Sequence, residues 1–205
     1  MTSYFDSVAK EWDKSALKVE RAKVTADKIK TISFHCTNSC IDFGSGTGLL
    51  GLQLIDTFAN IHLVDASNEM LSVARHKIDN GRINNVETHC ANSLCVFSEQ
   101  HSAIVMMLVL HHIVNIESFF VEAYERLAPK GKLMIADLYE EDGSFHKHNV
   151  AFSGHDGFNI SELTILVERS GFKVEKVEHY YDIWKENFAG NKVAYPLFLM
   201  VVQKL

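Results

Sequence analysis

A glycine-rich turn between two apolar segments constrains the fold of this chain more than any other feature. Residues 41–50 read Ile-Asp-Phe-Gly-Ser-Gly-Thr-Gly-Leu-Leu, so an apolar run ends in an acid, three alternating glycines follow, and an apolar helical pattern begins. Glycine is needed where a backbone turns sharply and lies against a ligand. With Asp65 at the end of the next apolar run, the segment indicates the nucleotide-binding corner of a doubly wound α/β sheet.

Apolar runs and helical patterns alternate along the rest of the chain. We predict helices up to about residue 34, over 47–58, after the caps Ser67 and Asn115, and from Asn159 to Gly171. The predicted strands are 40–43, 61–64, 86–90, 103–110, 132–138, 172–181 and 194–203. This order predicts an α/β, Rossmann-like, seven-stranded and mostly parallel sheet with helices on both faces. The last two strands are close enough to pair as a C-terminal antiparallel hairpin.

Composition excludes several classes of protein. The net charge is −6 and no Lys/Arg run occurs, which argues against nucleic-acid binding. The start carries no secretory signal, and the longest nearly uncharged stretch, 103–113, is too short to span a bilayer. We therefore expect a cytoplasmic protein that binds no membrane.

The sequence contains four cysteines, Cys36, Cys40, Cys90 and Cys95. They form no Cys-x-x-Cys pair, and we expect them to be buried free thiols.

Five segments are expected to meet at one edge of the sheet. In parallel sheets, ligands bind beyond the carboxyl ends of the strands. The glycine turn, Asp65, residues 90–93, His111-His112 and the loop after Leu138 all fall there. Asp65 can accept hydrogen bonds from two ribose hydroxyls, which suits any nucleoside ligand.

In these segments the chain resembles the class I S-adenosylmethionine-dependent methyltransferases, and most closely the small-molecule type related to ubiquinone and menaquinone biosynthesis enzymes. The resemblance covers nearly the whole chain. It is carried by Tyr4-Phe5-Asp6-x-x-Ala9-x-x-Trp12-Asp13, the glycine turn, Val64-Asp65-Ala66-Ser67-x-x-Met70-Leu71, Leu108-Val109-Leu110-His111-His112-Ile113, Leu127-Ala128-Pro129-x-Gly131-Lys132-Leu133, and Gly157-Phe158 leading to Gly171-Phe172.

The resemblance implies S-adenosylmethionine as cofactor and a role for each matching residue. Asp65 would bind the ribose, Ala66 and Met70 would lie near the adenine, and Leu108 would border the methyl-transfer point. The family often has an acid after the third strand, and here Asn92 or a backbone group would replace it. The methionine moiety would face Asp42, Gly44, Ser45, Gly46 and Gly48. Tyr4 and Trp12 would belong to a helical lid, residues 1–34, on a core of 39–205 within one domain, 1–205. Packing of a terminal helix is the alternative for Tyr4 and Trp12.

The methyl group of a sulfonium is already electrophilic, so methyl transfer mainly requires alignment and exclusion of water. A base is needed only if the acceptor must lose a proton. His111 and His112 are the candidate bases, or they hold the strand–helix junction. His155 is a candidate substrate contact. A metal site of His146, His148 and His155 is the disfavoured alternative, and we expect no metal.

The predicted function is in-line methyl transfer from S-adenosylmethionine to a small-molecule acceptor. Two alternative functions remain open. A nicotinamide-dependent oxidoreductase is disfavoured because Leu49 replaces its third glycine, and because Tyr181-x-x-x-Lys185 follows the sixth predicted strand rather than lying on a helix. The second is a protein that binds S-adenosylmethionine or S-adenosylhomocysteine without catalysis. No Asn-Pro-Pro-Tyr or Pro-Cys segment of the DNA-methylating kind occurs. The acceptor atom and the oligomeric state cannot be read from the residues.

Overall fold

The seven strands form one sheet in the order β3-β2-β1-β4-β5-β7-β6. The computed structural model describes residues 2–149 and 152–205, so Met1 of the predicted lid and residues 150–151 of the loop after Leu138 lie outside it. Strands β1 to β5 are parallel, and β7 is antiparallel to both β5 and β6. The strands are β1 (Ser39–Phe43), β2 (Asn60–Asp65), β3 (Val86–Cys90), β4 (His101–Met107), β5 (Leu127–Leu138), β6 (Phe172–Glu186) and β7 (Lys192–Lys204).

The α-helices begin where the sequence supplies a capping side chain. Ser67 accepts a hydrogen bond from the Met70 amide, Asn115 accepts one from Ser118, and Asn159 accepts from Ser161 and Glu162. Such bonds satisfy amides that have no partner in the first turn of a helix. The helices are α1 (Thr2–Val8), α2 (Ala16–Lys30), α3 (Asn68–Gly81), α4 (Ile116–Arg126) and α5 (Ile160–Arg169), with a 3-10 helix, Ala9–Lys14, between α1 and α2.

Helices cover both faces of the sheet, as predicted, because side chains alternate along the central strands. On one face Ile104 and Met106 of β4 pack with Phe120 of α4 and Val167 of α5. On the other, Ala103 and Val105 pack in a cluster with Ile29 of α2 and Leu71 of α3. The Rossmann-like α/β fold with its C-terminal antiparallel strands is confirmed.

The predicted helix over 47–58 is wrong. Residues 46–50 form turns, and a 3-10 helix spans only Gly51–Gln53. Gly48 has a φ of +77°, outside the right-handed helical region. The Gly51 amide donates to the Asp42 carboxylate, 2.8 Å away, instead of to a carbonyl one helical turn earlier. Glycine conformation and a buried carboxylate therefore interrupt a segment whose apolar pattern suits a helix.

Three smaller expectations also need correction. Strand β4 ends at Met107 rather than Leu110, because Leu108 takes a φ of +57° and leaves the sheet. Strand β5 begins at Leu127, five residues before the predicted start. Cys40 is buried, Cys36 is half-buried, and Cys90 and Cys95 are exposed, so the prediction of buried thiols is confirmed only for Cys40. Within the described ranges, no helix is long and apolar enough to cross a membrane.

Candidate active site

The glycine turn leaves β1 and runs along the carboxyl edge of the sheet. Gly44, Gly46 and Gly48 have φ values of +69°, +54° and +77°, a region that other residues rarely adopt. The Ser45 amide donates to the Val64 carbonyl at 2.9 Å, which ties the turn to β2. A Cβ built on Gly46 meets no atom within 4 Å, so open space lies against this backbone.

Asp42 lies at the base of the turn, with an exposed fraction of 2%. Its Oδ2 accepts the Gly51 amide at 2.8 Å. Burial raises the pKa of Asp42 to about 7, because a carboxylate without water is costly, while the Gly51 hydrogen bond opposes the rise. Asp42 can therefore change protonation near neutral pH.

Asp65 ends β2 and braces the turn from the other side. Its Oδ2 accepts the Gly46 amide at 2.7 Å, and its Oδ1 accepts the Ser67 amide at 2.8 Å. Burial raises the pKa of Asp65, and these two amides oppose the rise. Each carboxylate oxygen has a second lone pair that can accept a ligand hydroxyl.

The residues expected near the adenine differ in exposure. Ala66 is exposed between Asp65 and α3, and Met70 is buried in the first turn of α3. Asn92 is exposed in the loop after β3. Ala66 and Asn92 are thus accessible on the edge where β2 and β3 end, and Met70 is covered in this conformation.

Leu108 and Val109 connect β4 to the pair of histidines. The Leu108 amide donates to the Ala136 carbonyl at 2.8 Å, which fixes the residue beside β5 despite its positive φ. Val109 packs directly against Gly44, where a Cβ would come within 2.6 Å of the Val109 Cγ1 atom. The glycine turn and the segment leading to His111 are therefore in contact.

His111 is held by a buried carboxylate at the end of β5. Its Nδ1 lies 2.6 Å from Asp137 Oδ1, and the exposed fractions of the two side chains are 1% and 0%. Asp137 also accepts the amides of Leu138 and His111, so its oxygens act as acceptors and the His111 Nδ1 donates. That tautomer leaves the Nε2 lone pair of His111 free to accept a proton or a ligand.

His112 and His146 complete a cluster of three imidazoles with His111. Their ring centroids lie 4.2 Å and 5.1 Å from that of His111. Burial, with the neighbouring histidines adding to it, lowers the pKa of His112 to about 3. Burial followed by the charges of His111 and Lys185 lowers that of His146 to about 4. Both rings are therefore neutral at physiological pH.

His155 is tied to the backbone that carries this cluster. Its amide donates to the His111 carbonyl at 2.7 Å, and its Nε2 donates to the Ile113 carbonyl at 2.9 Å. This ring therefore anchors the loop 139–158 beside the pair of histidines. His148 is exposed, so the structure does not support grouping it with His146 and His155.

The N-terminal segment reaches both parts of the site. The Ser67 hydroxyl donates to Asp6 at 2.5 Å, and the Thr47 hydroxyl donates to Asp13 at 2.6 Å. The Phe5 ring lies edge-on to His112 at 5.8 Å and also contacts Trp12. Trp12 is half-buried, and the Lys18 ammonium lies over its ring. Tyr4 is 55% exposed and its ring contacts Phe5.

These features together define a nucleoside-binding α/β protein. Asp65 offers lone pairs for hydroxyls, and the open space at Gly46 admits a ligand against the backbone. The Ser45 hydroxyl is buried and has no hydrogen-bond partner among the described residues. A buried polar atom normally has a partner, so this orphan hydroxyl fits a polar ligand such as S-adenosylmethionine.

Comparisons with known proteins specify the class. Residues 40–131 match the family described as "Methyltransferase domain". An uncharacterised methyltransferase of Schizosaccharomyces pombe is 30% identical over 156 residues, 68% of this chain, and the chain spans about half (55%) of its length. The demethylmenaquinone methyltransferase of Tropheryma whipplei is 23% identical over 198 residues, covering 82% of each chain. A solved DhpI–SAH complex has a TM-score of 0.72 at 18% identity, covering 99% of this chain and 94% of that one.

The family match and the relatives place the chain among the methyltransferases, and together with the fold they support a class I S-adenosylmethionine-dependent methyltransferase similar to the menaquinone methyltransferases. S-adenosylmethionine is its cofactor. Tyr181 and Lys185 both lie within strand β6, so they do not form the helical pair of a nicotinamide-dependent oxidoreductase.

Several residues of the site were not identified from the sequence. Asp137 stands in the predicted fifth strand, where a lone acid in an apolar run was the available signal. His146 was considered only with His148 and His155, and its approach to His111 depends on the path of a long loop. Asp6 and Asp13 were noticed only as parts of a motif, without their bonds to Ser67 and Thr47.

Proposed function

We propose that this chain transfers the methyl group of S-adenosylmethionine to a small-molecule acceptor by in-line displacement. The observation that carries the proposal is the contact between Val109 and Gly44. It places the cofactor turn directly beside the segment that ends in His111 and His112. A donor at the turn and an acceptor at the histidines would therefore meet in one site.

On the donor side, Asp65 would accept the ribose hydroxyls, and Ser45 with the glycine backbone would bind the methionine moiety. Ala66, Asn92 and, after local rearrangement, Met70 would lie near the adenine, and Leu108 would border the reacting methyl group. The cofactor supplies that methyl group on a positively charged sulfur. Asp42 lies below the turn and, once ionised, would favour this positive charge.

On the acceptor side, His111 is the better candidate base of the two histidines. Its Nδ1 donates to Asp137, which stabilises the positive charge that appears when Nε2 takes a proton. His112 has a pKa of about 3, which makes it a weak base at neutral pH. We propose that His155 positions the loop over the acceptor rather than contacting it directly.

The enclosure of the histidines favours a small acceptor over a macromolecule. Phe5 from α1 and Phe152 from the long loop both pack on His112, at 5.8 Å and 5.4 Å between ring centroids. We propose that residues 1–34 act as a lid on a core of 39–205 within one domain. The net charge of −6 also disfavours nucleic acid as acceptor.

Calorimetric titration with S-adenosylhomocysteine, with a reduced nicotinamide cofactor as control, is the first test. Micromolar binding of S-adenosylhomocysteine alone supports the cofactor site. Small thiols, phenols, amines and quinols are then screened for formation of S-adenosylhomocysteine from S-adenosylmethionine. Methylation of RNA or protein but of no small compound would overturn the acceptor class.

The proposed base has its own test. His111→Ala should lower the turnover number at least tenfold and leave the dissociation constant of S-adenosylhomocysteine nearly unchanged. If a folded variant lost turnover and affinity for S-adenosylhomocysteine by the same factor, His111 would have a structural role. Binding without turnover on any acceptor class would favour the alternative, a protein that binds the cofactor without catalysis.

A further inference from the structure

Three ring nitrogens of the histidine cluster point to a ligand-binding role that is an alternative to proton transfer by His111 Nε2. His111 Nε2, His112 Nδ1 and His146 Nε2 are buried and have no hydrogen-bond partner within residues 2–149 and 152–205. Buried polar atoms are nearly always paired. Three orphan nitrogens on adjacent rings therefore indicate a missing common partner.

The spacing of the cluster suits one small cation. Each of the three histidines offers a ring nitrogen within 4.8 Å of those of the other two. Nitrogen ligands about 2.0–2.1 Å from a tetrahedral zinc ion lie roughly 3.4 Å apart. The nitrogens would therefore have to approach one another by up to about 1.4 Å when the ion binds. A shared proton could pair two lone pairs at most, and it would leave the third unpartnered.

Asp137 supplies the second feature of a metal site. Histidine ligands commonly donate their other ring nitrogen to a carboxylate, which fixes the tautomer and increases the basicity of the ligand. His111 does so to Asp137 at 2.6 Å. Because its Nδ1 carries the proton, its Nε2 presents a lone pair to the centre of the cluster.

Aromatic rings surround the cluster and limit the access of water. The Phe152 ring stacks on His146 with centroids 3.9 Å apart, and Phe145 is 8% exposed beside it. An apolar surrounding strengthens the attraction between a cation and its ligands. The N-terminal Phe5 closes the side of His112.

We propose that His111, His112 and His146 bind a divalent transition-metal ion such as zinc, with one coordination position left for the methyl acceptor. Imidazole ligands suit zinc, iron, copper and nickel, and three protein ligands with an open position are typical of catalytic zinc. This proposal departs from the expectation that the site holds no metal.

The substrate class follows if the proposed methyl transfer holds, and this step rests on that proposed function. With His111 Nε2 bound to the metal, His111 would not act as the base, and an acceptor thiol or hydroxyl at the open position would lose its proton to solvent, because a metal lowers the pKa of the group that it binds. The acceptor's electron pair then forms the bond to the methyl carbon. The carbon–sulfur bond of the cofactor breaks, and its electron pair returns to sulfur.

A second histidine cluster does not meet the same criteria. His62, Glu87 and His89 also bring ligand atoms within 4.8 Å. However, His62 Nδ1 and His89 Nε2 are hydrogen-bonded to each other at 3.1 Å, and the Glu87 side chain is 72% exposed. This cluster therefore serves as the alternative location that the experiment must distinguish.

The test uses the full chain, stripped with a chelator and titrated with Co²⁺ while its visible absorption is recorded. We expect about one ion per chain with the intense bands of a tetrahedral site, displaced by Zn²⁺. His112→Ala and His146→Ala should each weaken Co²⁺ binding roughly 100-fold or more. His76→Ala, on the exposed surface of α3, should change nothing, and circular dichroism checks that each variant is folded.

Two results would overturn the site. One is a wild-type chain that takes up no Co²⁺ or Zn²⁺ at micromolar concentrations. The other is full binding by a folded His146→Ala or His112→Ala variant, which would place the ion elsewhere, for example at His62 and His89. Binding of S-adenosylhomocysteine is measured on the same stripped protein. If the wild-type chain binds S-adenosylhomocysteine but takes up no metal, the metal site fails and the proposed cofactor site stands. If it takes up metal but binds no S-adenosylhomocysteine, the metal site stands and the proposed cofactor site fails.

Discussion

Val109 occupies the space that a side chain at Gly44 would need. A Cβ built on Gly44 would lie 2.6 Å from Val109 Cγ1 and 3.1 Å from its Cβ. Gly44 therefore does more than permit a turn with a φ of +69°. It allows the segment that follows β4 to approach the glycine turn, so that the two halves of the proposed site touch.

Gly44→Ala should destabilise the protein by about 2–4 kcal/mol, from a strained φ and from overpacking against Val109. Gly46→Ala is the matched control, because its φ is +54° and a Cβ there meets no atom within 4 Å. It should cost only about 1 kcal/mol. Chemical denaturation measures both, and Val109→Ala should restore part of the stability of Gly44→Ala. Equal losses in the two glycine variants would contradict the role of Val109.

Asp65→Ala should raise the dissociation constant of S-adenosylhomocysteine at least tenfold, since a hydrogen bond to a charged group contributes about 1.5–3 kcal/mol. Part of the loss comes from the amides of Gly46 and Ser67, which lose their acceptor. Asp56→Ala removes an exposed acid and should leave affinity unchanged. Calorimetry on both folded variants decides the point, and unchanged affinity in Asp65→Ala would refute the cofactor placement.

The stability of the protein should depend on the protonation of Asp42. Its pKa is about 7 in the folded chain and near 3.8 when unfolded, so folding favours the protonated form. The stabilisation that the protonated Asp42 adds to the free energy of unfolding is complete below pH 4. It is lost as the pH rises through 7, and the loss amounts to roughly 2–4 kcal/mol. Asp42→Asn keeps the shape and removes the titration. The difference in unfolding free energy between Asp42→Asn and wild type should therefore grow in favour of the variant from about pH 4 to pH 7 and level off above that.

Denaturation at several pH values gives this difference directly. The histidines contribute equally to the pH dependence of both proteins, so their effect cancels in the difference. This includes His101, because burial lowers its pKa to about 4 and its effect appears at acid pH. Parallel curves for wild type and Asp42→Asn would show that Asp42 is ionised throughout.

Asp137→Asn should cost about 1–3 kcal/mol, because the amide nitrogen cannot accept a hydrogen bond and so leaves one of the buried donors of His111 and Leu138 without an acceptor. The chain contains a matched surface pair, His179 and Asp182, which are 2.9 Å apart and 51% and 40% exposed. Asp182→Asn should cost less than about 1 kcal/mol, since water screens that pair. Thermal unfolding of the two variants at pH 7 tests the contrast. Similar melting temperatures would mean that the His111–Asp137 contact contributes little.

Asp13→Ala should speed the release of bound S-adenosylhomocysteine, because Asp13 ties the N-terminal segment to Thr47 and Lys77. We expect the dissociation rate to rise roughly threefold to tenfold, as for the loss of one or two partly buried polar contacts. Glu11→Ala breaks only the exposed pair with Lys14 and is the control. Stopped-flow fluorescence of Trp12 can follow release, and equal rates in both variants would argue against a lid.

The fold was predictable because its signals are local. Apolar runs such as 103–107 mark buried strands, and Ser67, Asn115 and Asn159 cap their helices as predicted. The helix over 47–58 was predicted wrongly because the carboxylate of Asp42, earlier in the chain, takes the Gly51 amide. Local periodicity contains no information about such a partner.

The site was predictable only in part, because local sequence patterns do not show which distant residues come together. The glycine turn, Asp65 and the two histidines carry motifs, and the structure brings them to one edge of the sheet. The approach of His146 to His111 joins residues 35 positions apart in sequence through a loop without periodic pattern. Asp137 reads as a strand residue until the neighbouring strand places His111 beside it.

The position of β7 has a consequence for the synthesis of the protein. This strand follows β6 in the sequence but lies between β5 and β6 in the sheet. A nascent chain that has emerged only as far as Asn191 therefore carries β5 with an open edge and an uncovered apolar surface. Open edges of this kind pair readily with other chains. Chains stalled before β7 should therefore aggregate more readily than the complete chain.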